Sequence, residues 1–216
     1  MKRIAAVFGT RPEAIKMCPL IKELKSRGAD VRVILSGQHK EMTDSVMKEF
    51  NVDADINLSV MRAGQDLGSL AARLAAALDE LYKKEKFDTV MVHGDTLTAY
   101  FAALFAFFYK IPIAHIEAGL RTYDINNPYP EELCRRAISL IADYSFAPTD
   151  IAMKNLLSEG IKSEKIFVSG NTVIDAVCQT VSESYPLPLL DFAKGGRLAV
   201  LTAHRRENIG YAMESS

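Results

Sequence analysis

Short, almost continuously apolar runs alternate along the chain with longer segments in which apolar residues recur every three or four positions. The short runs predict strands that are buried on both faces, because they lack the strict alternation of a half-exposed strand. The longer segments predict amphipathic helices. The predicted strands cover 3–8, 31–35, 88–93, 111–116, 144–147 and 165–168.

Helical spacing fills most of the intervals between these strands. Pro12 suits the first turn of a helix that ends near Gly28, since proline there needs no N–H partner. The other predicted helices are a segment from Met42 to Phe50 and the stretches 66–86, 97–109, 131–142, 149–158 and 172–183. Residues 118–130 lack periodicity and contain glycine and proline, so they are predicted to be a loop.

Strand–helix alternation at this spacing predicts an α/β fold with right-handed βαβ units and a doubly wound parallel sheet, which is Rossmann-like. We assign residues 1–183 to this lobe. Residues 184–196 carry two prolines and end in Gly-Gly, as expected of a linker. One further strand is predicted at 197–202, and a single strand cannot bury itself. Residues 197–216 are therefore interpreted as the start of a truncated C-terminal lobe.

The charge balance, the cysteine and histidine spacing and the length of the apolar runs exclude several classes of protein. Lys plus Arg total 26 and Asp plus Glu total 27, a net charge of −1 that argues against a nucleic-acid binder. The three cysteines are widely spaced without a Cys-x-x-Cys pair, and no histidine spacing suits a metal, so we expect neither a disulfide framework nor a metal site. The apolar runs are too short for a signal peptide or a bilayer span, so the protein is predicted to be cytoplasmic, without a membrane partner.

Polar residues cluster where the predicted strands end. In a parallel sheet these ends share one rim, which is where such folds bind ligands. Arg11 stands at the start of a helix, where free N–H groups favour an anion such as phosphate. Lys16 follows one and a half turns later. Alternatively, both are ordinary surface charges.

Three carboxylates from separate segments belong to the same predicted rim. Asp95 either caps the helix that follows it or takes part in chemistry. Glu117 follows an apolar strand, so we expect partial desolvation to raise its pKa and suit it to acid–base work. Glu131 and Arg135 are spaced i, i+4 and should share a helix face, either at the site or as a surface ion pair. His93 and His115 lie within strands and are predicted to be core residues.

Six segments then occur in an order that is typical of one family. They read GTRPEAIK at 9–16, HGDT at 93–96, HIEAGLRT at 115–122, PEE at 130–132, GNTVID at 170–175 and HRREN at 204–208. With these segments the chain resembles the non-hydrolysing UDP-N-acetylglucosamine 2-epimerases of bacteria over residues 1–210. Any one of them alone is a weak signal, whereas six in order are specific.

This resemblance implies a fold and an isomerase activity. The fold is a two-lobed GT-B type with the active site between the lobes, of which this chain would hold the N-terminal lobe with the second lobe largely missing. The activity is interconversion of UDP-GlcNAc and UDP-ManNAc without a cofactor, by elimination of UDP to a 2-acetamidoglucal and re-addition. The family is dimeric and serves cell-envelope polysaccharide biosynthesis.

The resemblance also implies roles for individual residues. Asp95, Glu117 and Glu131 match the catalytic carboxylates, with the assignment of base and acid left open. Lys16, Arg135 and His204 match further positions linked to activity, and the substrate-binding positions are Gly9, Thr10, Arg11 and Arg205. Gln38 and Gln65 match in part a second, allosteric UDP-GlcNAc site of some relatives, but Glu41 and Gly64 replace its Gln and Arg, which argues against allosteric activation.

The length of the chain and its Phe-rich helix lead to further predictions about activity and assembly. Without most of the second lobe, the chain is expected to turn over weakly or not at all. The alternatives are a non-catalytic nucleotide-sugar-binding module and a GT-B glycosyltransferase, which would not require three rim carboxylates. The Phe-rich helix at 97–109 is expected to lie in the core or at a homodimer interface.

Overall fold

The computed structural model describes residues 2–37, 40–62, 64–182, 196, 198 and 199, and for residues 40–42 only the backbone. The chain divides into two units, Met1–Thr180 and Val181–Ser216. Most of the proposed linker at 184–196 and of the predicted strand at 197–202, together with Gln38, His204 and Arg205, lies outside the described residues. The division into a lobe, a linker and a second lobe stays a prediction.

A single parallel sheet forms the centre of the first unit. The described part of the chain contains strands β1 (Arg3–Phe8), β2 (Asp30–Leu35), β3 (Ile56–Asn57), β4 (Thr89–His93), β5 (Ile113–Ile116), β6 (Tyr144–Ala147) and β7 (Ile166–Val168). They lie in the order β3-β2-β1-β4-β5-β6-β7, and every neighbouring pair is parallel. The predicted doubly wound sheet is confirmed.

Helices connect the strands as the periodicity predicts. They are α1 (Arg11–Ser26), α2 (Lys40–Glu49), α3 (Leu67–Lys84), α4 (Leu97–Phe108), α5 (Glu131–Ile141), α6 (Asp150–Ser158) and α7 (Val173–Thr180). Two short elements were not predicted: β3, and a 3₁₀ turn at Ser163–Lys165. Neither is long enough to show a period in the sequence.

The helices cover both faces of the sheet and make two apolar cores. On one face, α3 buries Leu70, Leu74, Leu78 and Leu81, which recur at i+4 and i+3 and so form one stripe. They pack against β1, β4 and α4. On the other face, α1 buries Met17, Cys18 and Ile21 against the alternate residues of the central strands. No helix among the described residues is long and apolar enough to cross a membrane.

The order in which strands are added to the sheet reverses between β1 and β4. The chain adds β2 and β3 on one side of β1 and then returns to add β4 to β7 on the other side. At such a switch point the loops after the two central strands diverge to opposite faces and leave a crevice, which is where open α/β sheets bind ligands. The turns after β1, β4 and β5 therefore define the rim to search for a site.

Candidate active site

The turn from β1 into α1 is tightly packed and ends with an exposed cation. A Cβ atom on Gly9 would stand 1.9 Å from Ser36 Oγ, so only glycine fits there. Thr10 is the extended N-cap residue of α1. The helix begins at Arg11, whose side chain is exposed at the positive end of the helix dipole. This geometry suits an approaching anion.

Glu13 is buried inside this turn, with 2% of its surface exposed. Its Oε2 accepts hydrogen bonds from the N–H groups of Gly9 and Thr10 and from the Thr10 hydroxyl. Its Oε1 accepts one from the hydroxyl of Thr96, in the turn after β4. Burial raises the pKa of Glu13, and these hydrogen bonds offset part of that rise.

The turn after β4 presents Asp95 to α5. Gly94 has a φ of +64°, which turns the chain sharply before Asp95. Asp95 Oδ2 lies 2.6 Å from Arg135 Nη2. Burial raises the pKa of Asp95; Arg135 opposes this, while the neighbouring charges of Glu131 and Glu117 add to it. Asp95 therefore holds a proton more readily than an ordinary aspartate.

Glu117 follows β5 with a φ of +62°, in the left-handed region that a residue with a side chain rarely adopts. Its Oε2 accepts hydrogen bonds from Lys16 Nζ at 2.5 Å and from Asn171 Nδ2 at 2.7 Å, and lies 3.8 Å from His93 Nε2. Backbone strain of this kind is found where the surrounding structure fixes a functional side chain.

The pKa of Glu117 is lower than predicted. Burial raises it, as the sequence suggested, but His93, Lys16 and Asn171 lower it by more, and the pKa lies below its ordinary value. Burial also lowers the pKa of His93 to about 4, so this imidazole is neutral at pH 7. The bonds from Lys16 and Asn171 therefore keep Glu117 ionised, and the expectation of a raised pKa was wrong.

Of the two alternatives for Glu131 and Arg135, the ion pair between them is not formed in the described part of the chain. Arg135 contacts Asp95 and also lies, through Nε, 3.6 Å from Glu132 Oε2. Glu131 is in the first turn of α5, and its Oε2 is buried without a hydrogen-bond partner among the described residues. A buried carboxylate oxygen without a partner costs free energy, so it indicates a group that a ligand would satisfy.

The loop at 118–130 is held by two fully buried side chains, Glu132 and Arg121. Glu132 accepts hydrogen bonds from the N–H groups of Thr122 and Tyr123, both at 3.2 Å. The Arg121 side chain is fully buried and makes two bonds to Glu159, at 2.8 and 2.7 Å. Arg121 is thus a structural cation that fixes the loop to the end of α6.

The two strand histidines are buried, as predicted, but they differ in what they face. His115 Nε2 donates to the carbonyl of Gly94 at 2.8 Å and so supports the turn that carries Asp95. His93 Nε2 is buried without a hydrogen-bond partner among the described residues and faces Glu117. His93 is therefore a buried residue, as predicted, that also forms part of the rim.

The structure brings five of the predicted side chains together. Asp95 is electrostatically coupled to Arg135, Glu131, Glu117 and Lys16. Gly9 and Thr10 shape the first turn, and Arg11 stands exposed beside it. Gln65 lies apart, where its Oε1 accepts from the backbone N–H of Arg62 and from Arg73. Within the described parts of the chain, no group of three or more His, Cys, Asp or Glu side chains could hold a metal ion.

Glu13 and Asn171 follow predicted strand ends at the rim, but the sequence assigns neither of them a role in the site. Glu13 had a visible signal, since Thr10 followed three residues later by Glu is the pattern of a capping box. Asn171 stands in the GNTVID segment after β7, but nothing in its spacing indicates that it reaches Glu117. The Oδ1 atom of Asn171 accepts a hydrogen bond from the N–H of Val173 at 3.0 Å, and this bond fixes the orientation of the amide group.

Comparisons with known proteins agree on one family. The family model described as UDP-N-acetylglucosamine 2-epimerase matches residues 22–215. The UDP-N-acetylglucosamine 2-epimerase of Bacillus subtilis is 46% identical over 214 residues, which are 99% of this chain and 56% of that protein. Its counterpart in Neisseria meningitidis is 41% identical over 99% of this chain and 60% of that protein.

Solved structures give the same result. The Staphylococcus aureus MnaA–UDP structure superposes with a TM-score of 0.92 at 44% identity, covering 99% of this chain and 57% of that one. The Neisseria meningitidis UDP-GlcNAc 2-epimerase bound to UDP-GlcNAc superposes with a TM-score of 0.78 at 46% identity, covering 82% and 48%. The chain spans between 48% and 60% of the length of these relatives, which fits one lobe of a GT-B-type fold.

Proposed function

Because this chain belongs to the UDP-N-acetylglucosamine 2-epimerase family, we propose that its rim is the N-terminal half of an active site that interconverts UDP-GlcNAc and UDP-ManNAc. The observation that carries the proposal is the coupling of Asp95, Glu117 and Glu131 at the sheet switch point, with Lys16 and Arg135 between them. Relatives crystallised with UDP and with UDP-GlcNAc support the choice of substrate.

The reaction proceeds by elimination and re-addition. A base removes the proton from C2 of the sugar, the C1–O bond to UDP breaks with its electron pair leaving on the diphosphate, and a C1=C2 double bond forms. Re-addition of UDP then places a proton on C2 from the opposite face. The net change is inversion at C2, with no electron carried away, so no redox cofactor is required.

The carboxylates divide these roles by environment. Glu117 is ionised and held by Lys16 and Asn171, which suits it to accept the C2 proton. Asp95 has a raised pKa, which suits it to hold and return a proton. The unpartnered Glu131 Oε2 is available to the positive charge that develops on the ring as the C1–O bond breaks.

Arg11 is the described cation that we assign to the diphosphate leaving group. Arg11 is exposed at the N-terminus of α1, where the helix dipole and its side chain together attract the diphosphate. Gly9 and Thr10 bring their turn close to it. His204 and Arg205, which the resemblance assigns to the same reaction, complete this proposal. Because the chain spans little more than half of its relatives, we expect it to turn over slowly.

Exchange at C2 is the test. UDP-GlcNAc is incubated with the chain in deuterated water, and loss of the C2 proton signal and formation of UDP-ManNAc are followed by NMR. We expect slow exchange that is abolished in Asp95→Asn, Glu117→Gln and Glu131→Gln. Glu23→Gln, an exposed carboxylate on α1, serves as the matched control.

Other outcomes of this experiment select the other interpretations. Binding of UDP-GlcNAc without any exchange would indicate a non-catalytic nucleotide-sugar-binding module. Transfer of the sugar to an acceptor would indicate a glycosyltransferase. Exchange that persists unchanged in all three carboxylate variants would contradict the proposed site.

We also propose that the chain forms a homodimer through the end of α4 and the adjoining α5. Phe107 and Phe108 are 53% and 60% exposed, and Leu140 on α5 is 75% exposed. Exposed apolar groups of this size are typical of protein contacts. Light scattering should give twice the monomer mass, and Phe108→Glu should return it to one; a monomeric wild type would contradict this interface.

A further inference from the structure

The carboxyl group of Glu13 joins two turns that are distant in the sequence. Its two oxygens accept four hydrogen bonds: from the N–H groups of Gly9 and Thr10 at 3.1 and 2.8 Å, from the Thr10 hydroxyl at 2.8 Å, and from the Thr96 hydroxyl at 2.8 Å. Three of these bonds end on Oε2 and one on Oε1, so both oxygens of the carboxyl group have hydrogen-bond partners.

A helix cap alone would not require this arrangement. In a capping box, the glutamate at the third helical position needs to reach only the N-cap residue, here Thr10. The bond to Thr96 is additional, and it connects α1 to the turn that follows β4, the strand beside β1 in the sheet. Glu13 is also fully buried, where a carboxyl group is costly unless its hydrogen bonds are made.

Thr96 is fixed from two sides and stands next to Asp95. Its hydroxyl donates to Glu13 and accepts from the N–H of Ala99 at 3.0 Å, which caps α4. The same turn is held at its other end, where the Gly94 carbonyl accepts from His115. The bond to Glu13 is therefore the contact that ties the Asp95 side of this turn to α1.

We propose that Glu13 is a positioning residue that places Asp95 against Arg135 by holding Thr96. Glu13 acts through hydrogen bonding rather than through charge, since every one of its partners is a neutral donor. The catalytic consequence rests on the proposed function, but the link from Glu13 to Asp95 does not.

The titration of Asp95 reports on this link. The groups that face Asp95 are Arg135 and Glu131 on α5, Glu117 after β5 and Lys16 on α1. If the turn relaxes, Asp95 moves away from Arg135. The attraction between the guanidinium and the charged form of Asp95 is then weaker. The pKa of Asp95 should then rise, and this can be followed by NMR of the labelled side-chain carboxyl without any substrate.

Two pairs of variants separate hydrogen bonding from other effects. Thr96→Val removes the hydroxyl at nearly constant shape, whereas Thr96→Ser keeps it. Glu13→Ala removes the acceptor, whereas Glu13→Gln keeps a carbonyl for Gly9 and Thr10 and an NH₂ group for the Thr96 hydroxyl, which can rotate to accept. Glu23→Gln is the matched control on the exposed face of α1.

We expect the pKa of Asp95 to rise by on the order of one unit in T96V and E13A. It should stay at the wild-type value in T96S, E13Q and E23Q. T96V also removes the N-cap bond to Ala99, which the Glu13 variants leave intact, so a shift in T96V without one in E13A would overturn the proposal. If E13A does not fold, Glu13→Asp, whose side chain is one methylene shorter and is expected to lose the bond to Thr96, decides in its place. An unchanged Asp95 pKa in folded T96V, or equal shifts in T96V and T96S, would overturn the proposal.

Turnover adds a second readout that separates this proposal from the proposed function. Where wild type exchanges C2, T96V should lower kcat with little change in KM for UDP-GlcNAc, because Arg11 and its turn are untouched. A wild type that does not exchange C2 would count against the proposed function, while the NMR titration would still decide the role of Glu13.

Discussion

Arg135 on α5 reaches across to Asp95 at the end of β4, with 2.6 Å between Nη2 and Oδ2, although Glu131 stands four residues before it on its own helix. The pair joins two segments of the rim, and the guanidinium opposes the rise that burial causes in the pKa of Asp95. Several measurable consequences follow from this arrangement and from the turns beside it.

Removing the guanidinium should raise the pKa of Asp95 further. In Arg135→Gln we expect an upward shift of about 1–3 units, because an opposite charge within bonding distance is lost while burial remains. NMR titration of Asp95 measures it. Arg136→Gln changes the neighbouring residue on the same helix and should leave the Asp95 pKa unchanged; an equal shift in both variants would contradict the assignment.

The strained backbone at Glu117 should be visible in stability. Alanine at a φ of +62° keeps the strain, whereas glycine relieves it. We expect Glu117→Gly to be more stable than Glu117→Ala by about 1 kcal/mol. Urea unfolding measures the difference, and C2 exchange should be absent from both. A more stable alanine variant would show that the turn relaxes to a negative φ.

Gly119 is required by space as well as by conformation. Its φ is +88°, and a Cβ atom there would stand 2.3 Å from the carbonyl oxygen of Ala152. We expect Gly119→Ala to lower the free energy of unfolding by about 3 kcal/mol. Gly160 has a similar φ of +84° with nothing within 4 Å, so Gly160→Ala should cost only about 1 kcal/mol. Equal losses would mean that α6 moves aside.

The buried histidines should make the fold sensitive to mild acid. Burial lowers the pKa of His115 to about 4, while its unfolded value is near 6.5. Between these values the unfolded chain binds a proton that the folded chain does not, so stability falls as pH drops from about 6.5 to about 4.

Replacing one histidine isolates this effect. His115→Gln keeps a donor for the Gly94 carbonyl and should reduce the pH slope of the unfolding free energy by about 1.4 kcal/mol per pH unit. Subtracting the variant from wild type removes the opposite contributions of Glu13 and Asp95, whose pKa values burial raises. Parallel pH profiles for the two proteins would contradict the prediction.

Hydrophobic periodicity was sufficient for the architecture. The stripe of leucines predicted a helix at 66–86, and α3 runs from Leu67 to Lys84. In the described part of the chain, apolar runs located each strand except β3, because two residues show no period and only their pairing with Ile34 and Leu35 defines them. Local pattern predicts local structure, and the parallel order then follows from the connections.

Side-chain partners were less predictable than side-chain positions. Spacing along α5 left open a pair between Glu131 and Arg135, but Arg135 instead bonds to Asp95, which lies in the turn after β4. Desolvation of Glu117 was anticipated, whereas the groups that together outweigh it, His93, Lys16 and Asn171, come from three other segments of the chain. Such balances depend on tertiary contacts that one-dimensional spacing does not contain.

The strand order has a consequence for biosynthesis. β1 leaves the ribosome first, yet one of its two neighbours, β4, is synthesised only after β2, β3 and three helices. Lys16 must wait still longer for Glu117, and Glu117 for Asn171. A nascent chain that ends before Asn171 therefore lacks one of the two hydrogen-bond donors of Glu117, and we expect such products to be recognised by chaperones and proteases.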